Sequence, residues 1–234
     1  RQMCIRDSYS TTMTKAVAPV TEKYKVPMVE AEGASRSLFT QGYKYMFAVL
    51  STSEYYLAPV LDLIAQRAKA GSKSPADLRI GMAFENDGFS LDVRAGVLDV
   101  AKKYRMKIVI DDKLPADLSD MSATLTKFKA LKPDILLVSG HSKGAATAAR
   151  QIEEMKINAS AISITHCEAA KVHVKFPKSA NGILCPTQWL TNLPNSEPIF
   201  GDAQKYDGDF KKAYPEYNTG IPYQTAQASA AVLV

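Results

Sequence analysis

The sequence predicts an α/β fold built on parallel sheets, and two observations carry that expectation. From Leu78 onward, short β-branched or apolar runs recur at 79–84, 106–110, 134–138, 161–165 and 182–185. Between them lie segments whose apolar residues repeat at helical spacing. Strands alternating with helices of this length favour a parallel sheet covered on both faces, joined by right-handed crossovers.

Taken in chain order, 12–24 reads as a helix whose first half is weakened by Pro19, and 26–30 as a strand leading to Gly33-Ala34-Ser35. A helix near 53–70 turns Leu57, Leu61, Ile64 and Ala68 inward, with a kink expected at Pro59 and Gly71 as its C-cap. Between the first two runs, Val93, Val97, Val100 and Tyr104 mark a helix with Ser90 as N-cap and Lys102, Lys103 and Arg105 near its C-terminal end. The next helix carries Met121, Leu125, Phe128 and Leu131, begins near Ser119 or Asp120, and is stopped by Pro133. A third presents Ala145, Ala148, Ala149 and Ile152, small enough to lie close against a sheet. The stretch 189–201, with Pro194 and Pro198, reads as a long loop or crossover. Residues 226–234 form an apolar helix pattern with neither a C-cap glycine nor a basic last turn, and 1–8 have no periodicity and read as a linker or assembly scar. Both ends therefore look cut, and the chain is expected to be a fragment.

Composition narrows the function classes. Hydrophobic residues make up 46% and charged residues 23% of the 234 positions, which excludes disordered, collagen-like and disulfide-dense chains. The net charge of +5 is spread out, with no basic run longer than a pair, so nucleic acid is not an expected partner. No stretch reaches the roughly 18 apolar residues of a membrane span, so the chain is not expected to cross a membrane. There is no G-x-G-x-x-G and no G-x-x-x-x-G-K-[ST], and no cofactor is expected.

Ligands of open parallel sheets bind beyond the carboxyl ends of strands. That rule picks out Asp87 and Phe89 after the first run, Gly140, His141 and Ser142 after the third, and His166, Cys167 and Glu168 after the fourth. The plainer reading is that short polar residues here only end strands and cap helices. Gly140-His141-Ser142-Lys143-Gly144 also matches the G-x-S-x-G nucleophile elbow, which makes an α/β serine hydrolase the alternative function. Against it, His166 and His173 precede Asp202, Asp207 and Asp209, whereas that fold needs the acid before the histidine. His141, His166, Cys167 and Glu168 could in principle hold zinc, but they lack the paired spacing of such sites, so no metal is expected. Cys167 and Cys185 each end an apolar run. They could form a disulfide in an oxidising compartment or remain two buried thiols.

The order of pieces resembles the type I periplasmic solute-binding proteins of the branched-chain amino acid ABC transporter class. The resemblance runs from Tyr9-Ser10-Thr11-Thr12 through Glu22-Lys23-Tyr24, Val26-Pro27-Met28-Val29, Gly33-Ala34-Ser35, Tyr43 to Phe47, Ala83 to Phe89, Ser139-Gly140-His141 and Gly182-Ile183-Leu184-Cys185 to Tyr206 and Tyr214. It implies two Rossmann-like lobes with parallel sheets joined by hinge crossovers near Ala48 to Ser51 and Pro186 to Trp189, the N-terminal lobe incomplete. The expected lobes are 9–48 with 189–234, and 49–188. The implied function is non-catalytic: a small polar ligand (an amino acid, an amide or a related metabolite) is bound in the cleft and delivered to an ABC transporter membrane permease. The implied location is periplasmic or extracellular and lipid-anchored, with a signal peptide in the full-length protein. A sensory ligand-binding domain on the same fold is a further possibility.

By the same resemblance, Ser10 or Thr11 and the Ala34-Ser35 pair bind the ligand's carboxylate and ammonium through backbone groups and hydroxyls. Oriented N–H groups suit a carboxylate without a full counter-charge. Phe89 and His141 occupy positions where the family often has tyrosines, and Phe89 lacks the phenolic hydrogen bond. Where many relatives place a glutamate for the ammonium, this chain has His166 or Cys167. A buried ammonium wants a carboxylate, which Asp87 or Glu168 could supply.

Overall fold

The computed structural model describes residues 5–6, 10–168, 171–218 and 220–233. The chain divides into a first unit of Arg1–Gly33, Gly42–Leu50 and Thr187–Val234, and a second of Ala34–Gln41 and Ser51–Pro186.

The first unit opens with strand β1 (Ile5–Arg6), helix α1 (Thr11–Tyr24), β2 (Met28–Glu30) and β3 (Met46–Ala48). The strands form a parallel sheet in the order β1-β2-β3, with Ile5 opposite Met28 and Met28 opposite Met46. Ser10 caps α1 with extended backbone, its hydroxyl accepting the Met13 N–H at 3.3 Å. The helix runs through Pro19, which lies on its exposed side, and buries Thr11, Thr14, Ala18 and Thr21. Lys25 ends it in the left-handed region at φ 54°. The backbone at Ile5–Arg6 thus takes part in a sheet, which corrects the expectation that 1–8 stand outside the fold; the other residues of that segment, and Tyr9, lie outside the described residues.

The second unit follows with α2 (Ala58–Ala70), β4 (Arg79–Glu85), α3 (Gly88–Tyr104), β5 (Lys107–Leu114), α4 (Ser122–Leu131), β6 (Ile135–Ser139), α5 (Ser142–Glu154), β7 (Ala161–Ile164), the short helices α6 (Val172–Lys175) and α7 (Pro177–Ala180), and β8 (Ile183–Leu184). Its five strands are parallel in the order β5-β4-β6-β7-β8. β6 is buried along its whole length and β4 at all but its first residue, so both read as continuous apolar runs. Leu125 and Phe128 of α4, Leu136 and Val138 of β6, and Ala145, Ala148 and Ile152 of α5 share one core. The outermost strand β5 is tied to two helices: Arg94 of α3 grips Asp111 with both ends of its guanidinium, while Lys127 (2.8 Å) and Thr124 (2.7 Å) of α4 hold Asp112. The first unit closes with β9 (Ser196–Glu197) and β10 (Gly201–Asp202), an antiparallel pair inside the stretch expected to be loop, then α8 (Ala203–Ala213) and α9 (Tyr223–Ala230).

Several local expectations are corrected. Asp87, not Ser90, caps α3, because its extended backbone lets Oδ1 accept the Ser90 N–H at 2.7 Å. Pro59 makes no kink: α2 begins at Ala58, so the proline sits in the first turn, where its missing N–H costs nothing. α4 ends at Leu131 with Lys132 left-handed at φ 48°, before Pro133 can act. Ala34–Gln41 joins the second unit, where the expected boundaries put it in the first lobe. The Ser35 hydroxyl (2.6 Å) and the Arg36 N–H (2.8 Å) both donate to Asp92, and the Ser53 N–H donates to the Ala34 carbonyl at 2.8 Å.

Gly96 of α3 makes the closest backbone approach in this unit. A Cβ there would lie 1.9 Å from the carbonyl oxygen of Glu54. Gly96→Ala is therefore expected to destabilise the protein by about 1–3 kcal/mol despite alanine's better helix propensity, because backbone has to move. Urea unfolding would measure it; a neutral or stabilising result would show that α3 does not pack this closely on the 3-10 turn at Ser53–Tyr55.

Candidate functional site

Strand order reverses at β4, with β5 on one side and β6 on the other, so the loops after β4 and β6 start side by side. Open α/β sheets bind ligands at such a switch point. Glu85, the last residue of β4, is 1% exposed and accepts the His141 N–H at Oε2, 3.3 Å away. A Cβ at Gly140 or Gly144 would stand 2.6 or 2.5 Å from Glu85 Oε1, so both glycines make room for this carboxylate. Asp87 has two tasks: Oδ1 caps α3, and Oδ2 meets His141 Nε2 at 2.8 Å.

The electrostatics follow from burial and from these contacts. Burial, reinforced by the charge of Asp87, pushes Glu85 up to about 7 against the opposing pull of His141. Burial is the largest single influence on Asp87 and His141 and penalises both charges, but it is outweighed by their mutual hydrogen bond and attraction together with the Ser90 bonds to Asp87 and the charge of Glu85 beside His141. Asp87 is held below, and His141 above, its ordinary value. His166 is 6% exposed and is pushed down to about 4 by burial and by the charge of His141. It is therefore neutral near pH 7, and its Nδ1 lies 2.9 Å from the Gly140 carbonyl. Since a carbonyl only accepts, Nδ1 carries the proton and Nε2 is left as an acceptor. The backbone of His166 is left-handed at φ 56°, an uncommon conformation for a side chain of this size. Thr165 steadies the same turn, its hydroxyl donating to the Gly140 carbonyl (2.8 Å) and accepting the Gly140 N–H (3.0 Å). Phe89 packs edge-on to Tyr56 at 5.1 Å between ring centroids and lies 5.6 Å from His141 and 5.1 Å from His166. The result is a group of aromatic rings beside one hydrogen-bonded Asp–His pair, one acid that titrates at about 7 and one neutral imidazole.

Of the residues singled out from sequence, Asp87, Phe89, His141 and His166 come together here. Cys167 and Cys185 are joined as a disulfide with their Cα atoms 5.8 Å apart. Glu168 sits against this bridge, Oε2 lying 3.0 Å from Cys185 Sγ. Among the described residues two donor sets are close enough to share an ion: Cys167, Glu168 and Cys185, whose sulfurs the bridge occupies, and Glu85, Asp87 and His141, whose hydrogen bonds account for their closeness. Ser142 opens α5 and is not among the residues with positive φ, so the G-x-S-x-G match lacks the strained turn of a nucleophile elbow. Ala34 and Ser35 are buried in the second unit, with the Ser35 hydroxyl committed to Asp92.

Ser10 and Thr11 lie in the first unit at the start of α1. Glu30, the last residue of β2, is fully buried there; it accepts the Thr14 hydroxyl at 2.8 Å and the Glu32 N–H at 2.9 Å. The Thr14 N–H donates to the Ser10 carbonyl at 2.9 Å, so Glu30 anchors the helix start that carries Ser10 and Thr11. Sequence reasoning missed both Glu30 and Glu85. The available signal was an acid closing an apolar strand run, Met28-Val29-Glu30 in one unit and Met82-Ala83-Phe84-Glu85 in the other.

A parallel-stranded α/β fold with polar groups gathered beyond its strand ends is the architecture of a ligand-binding protein. A family model described as "Periplasmic binding protein" matches residues 4–234, and the chain belongs to that family. A curated relative, Leu/Ile/Val-binding protein homolog 8 of Brucella abortus (strain 2308), is 22% identical over 148 residues, 63% of this chain and 37% of the relative. The fold is similar to that of a leucine binding protein LivK from Thermotoga maritima MSB8 (TM-score 0.79, 17% identity), covering 98% of this chain and 61% of that one. It is equally similar to a solute binding protein of an ABC transporter from Rhodopseudomonas palustris BisB5 in complex with 3,4-dihydroxybenzoic acid (TM-score 0.79, 15% identity, 98% of this chain and 59% of that one). LivJ from Streptococcus pneumoniae, solved with isoleucine, gives a TM-score of 0.76 at 17% identity, over 98% and 62% of the two chains. The chain thus spans about three-fifths of the length of these solved relatives. Among the described residues no helix is long and apolar enough to cross a membrane.

Proposed function

We infer that this chain is the solute-binding component of an ABC importer, capturing an amino acid or related small polar solute without transforming it. The observation that carries the reading is the convergence of Asp87, Phe89, His141 and His166 at the switch point of the second unit's sheet. Together they offer an aromatic surface and a hydrogen-bonded Asp–His pair, which suits a small molecule with one apolar and one polar part. In this reading Asp87 and His141 hold the solute's polar part beside the ring of Phe89, and a membrane permease engages the loaded protein in the periplasm. The relatives solved with isoleucine and with an aromatic acid give the first solutes to try.

Isothermal titration of the full-length protein with leucine, isoleucine, benzoate and 3,4-dihydroxybenzoate is expected to give saturable binding of at least one. His141→Ala should weaken it by about tenfold or more through the loss of a charge-assisted contact. The reading fails if no solute binds while the protein hydrolyses ester substrates and loses that turnover in Ser142→Ala.

A further inference from the structure

Gln224 is the second residue of α9 and Gln227 follows three residues on, a spacing that puts both amides on one face of the helix. Each is 8% exposed. Gln227 is satisfied in part by donating to Gln188 Oε1 at 2.6 Å. Gln224 differs: among the described residues neither its Oε1 nor its Nε2 has a hydrogen-bond partner, although both atoms are buried. Burying an amide without partners destabilises the folded chain, and native structures keep such groups rare. The helix start adds polarity of the same kind, because Pro222 at the N-cap offers no side chain to the first-turn N–H groups. Tyr223, 2% exposed, stands next in sequence and supplies aromatic surface.

We propose that Gln224, with the first turn of α9, is a binding subsite for a neutral carboxamide or urea group of a small solute. The choice of class follows from hydrogen-bond capacity. Gln224 offers one acceptor and two donors in a plane, and a carboxamide or urea offers the complementary set. A carboxylate would leave Oε1 unmatched, and an alkylammonium would leave Nε2 unmatched. The subsite rests on the reading above that this chain binds a small polar solute.

The test is calorimetric titration of the full-length protein with propionamide and urea, with propionate, propylamine and leucine as comparisons, in wild type and Gln224→Met. Methionine keeps the length and removes both polar atoms. The expected result is binding of an amide or urea that falls about tenfold or more in Gln224→Met. The melting temperature of the ligand-free variant should be unchanged or higher, because an unmatched buried amide has been replaced by an apolar side chain. A glutamine that only holds the fold together would do the opposite, lowering the melting temperature and leaving affinity alone. Unchanged amide affinity in Gln224→Met, as when water alone satisfies the side chain, overturns the subsite. So does binding of leucine or propionate with none of an amide or urea, while the solute-binding reading survives. Binding of no solute at all overturns both.

Discussion

Replacing Cys167 and Cys185 together by serine is expected to cost about 3 kcal/mol of stability, the entropy of closing a loop of this length in the unfolded chain. The bridge spans 18 residues, from the turn after β7 to the residue after β8. Among the described residues β8 is otherwise held by a short ladder to β7, Ile162 with Ile183 and Ser163 with Leu184, by the Ser163 hydroxyl on the Leu184 carbonyl at 2.8 Å and by Ile183 against the core. The loss should therefore be uneven. Amide exchange at 183–184 should accelerate far more than at the buried β4 and β6, and the turn carrying His166 should loosen with it. Urea unfolding of wild type with and without reductant, beside the double variant, checks the prediction. A change below about 0.5 kcal/mol would mean that the bridge contributes nothing to the fold.

The second expectation concerns Glu85→Gln. With its folded pKa raised to about 7 from 4.5, Glu85 favours the folded protein fully below pH 4.5, and that contribution is lost as pH rises through 7. The full span corresponds to about 3 kcal/mol, an upper figure for a single group. Glutamine keeps the shape against Gly140 and Gly144 and does not titrate. Relative to wild type, the variant should thus gain stability between pH 4.5 and pH 8 by up to that amount. His166 works in the opposite sense: its depressed pKa of about 4 means that stability is lost as pH falls from its unfolded value of 6.5. The difference between the two proteins cancels that slope, so unfolding curves at pH 4.5 and pH 8 isolate Glu85. Parallel pH profiles would show that its carboxyl ionises at the same pH in the folded and the unfolded protein.

How much of this was legible beforehand depended on where the information resides. The runs 79–84 and 134–138 announced β4 and β6 because central parallel strands are buried on both faces and need apolar residues at nearly every position, while 161–165 announced β7 with only its second half buried. β3 gave no such signal: Met46 is half-buried and Phe47 and Ala48 are exposed, so only its pairing with Met28, Val29 and Glu30 defines it. β9 and β10, two residues each among prolines and asparagines, are likewise products of pairing. At the candidate site, the rule about strand ends found Asp87, His141 and His166 because it is a rule of topology, and topology was readable. Glu85 and Glu30 escaped it because an acid after an apolar run looks like a terminator. Only folding reveals that Gly140 and Gly144 pack on the first and that Thr14 bonds the second. Gln224 was invisible for a similar reason: nothing local says that an amide will be buried without a mate.

The charged side chains along β5 bear on solubility during folding. An outer strand eight residues long would be a template on which a second polypeptide could zip. Neighbouring Asp111 and Asp112 point to opposite faces and are clasped by Arg94 and Lys127, while Lys107 and Lys113 add two further cations. An incoming strand would have to strip water from these cations and disturb both clasps before gaining a single ladder bond, so the rim discourages aggregation by its own chemistry.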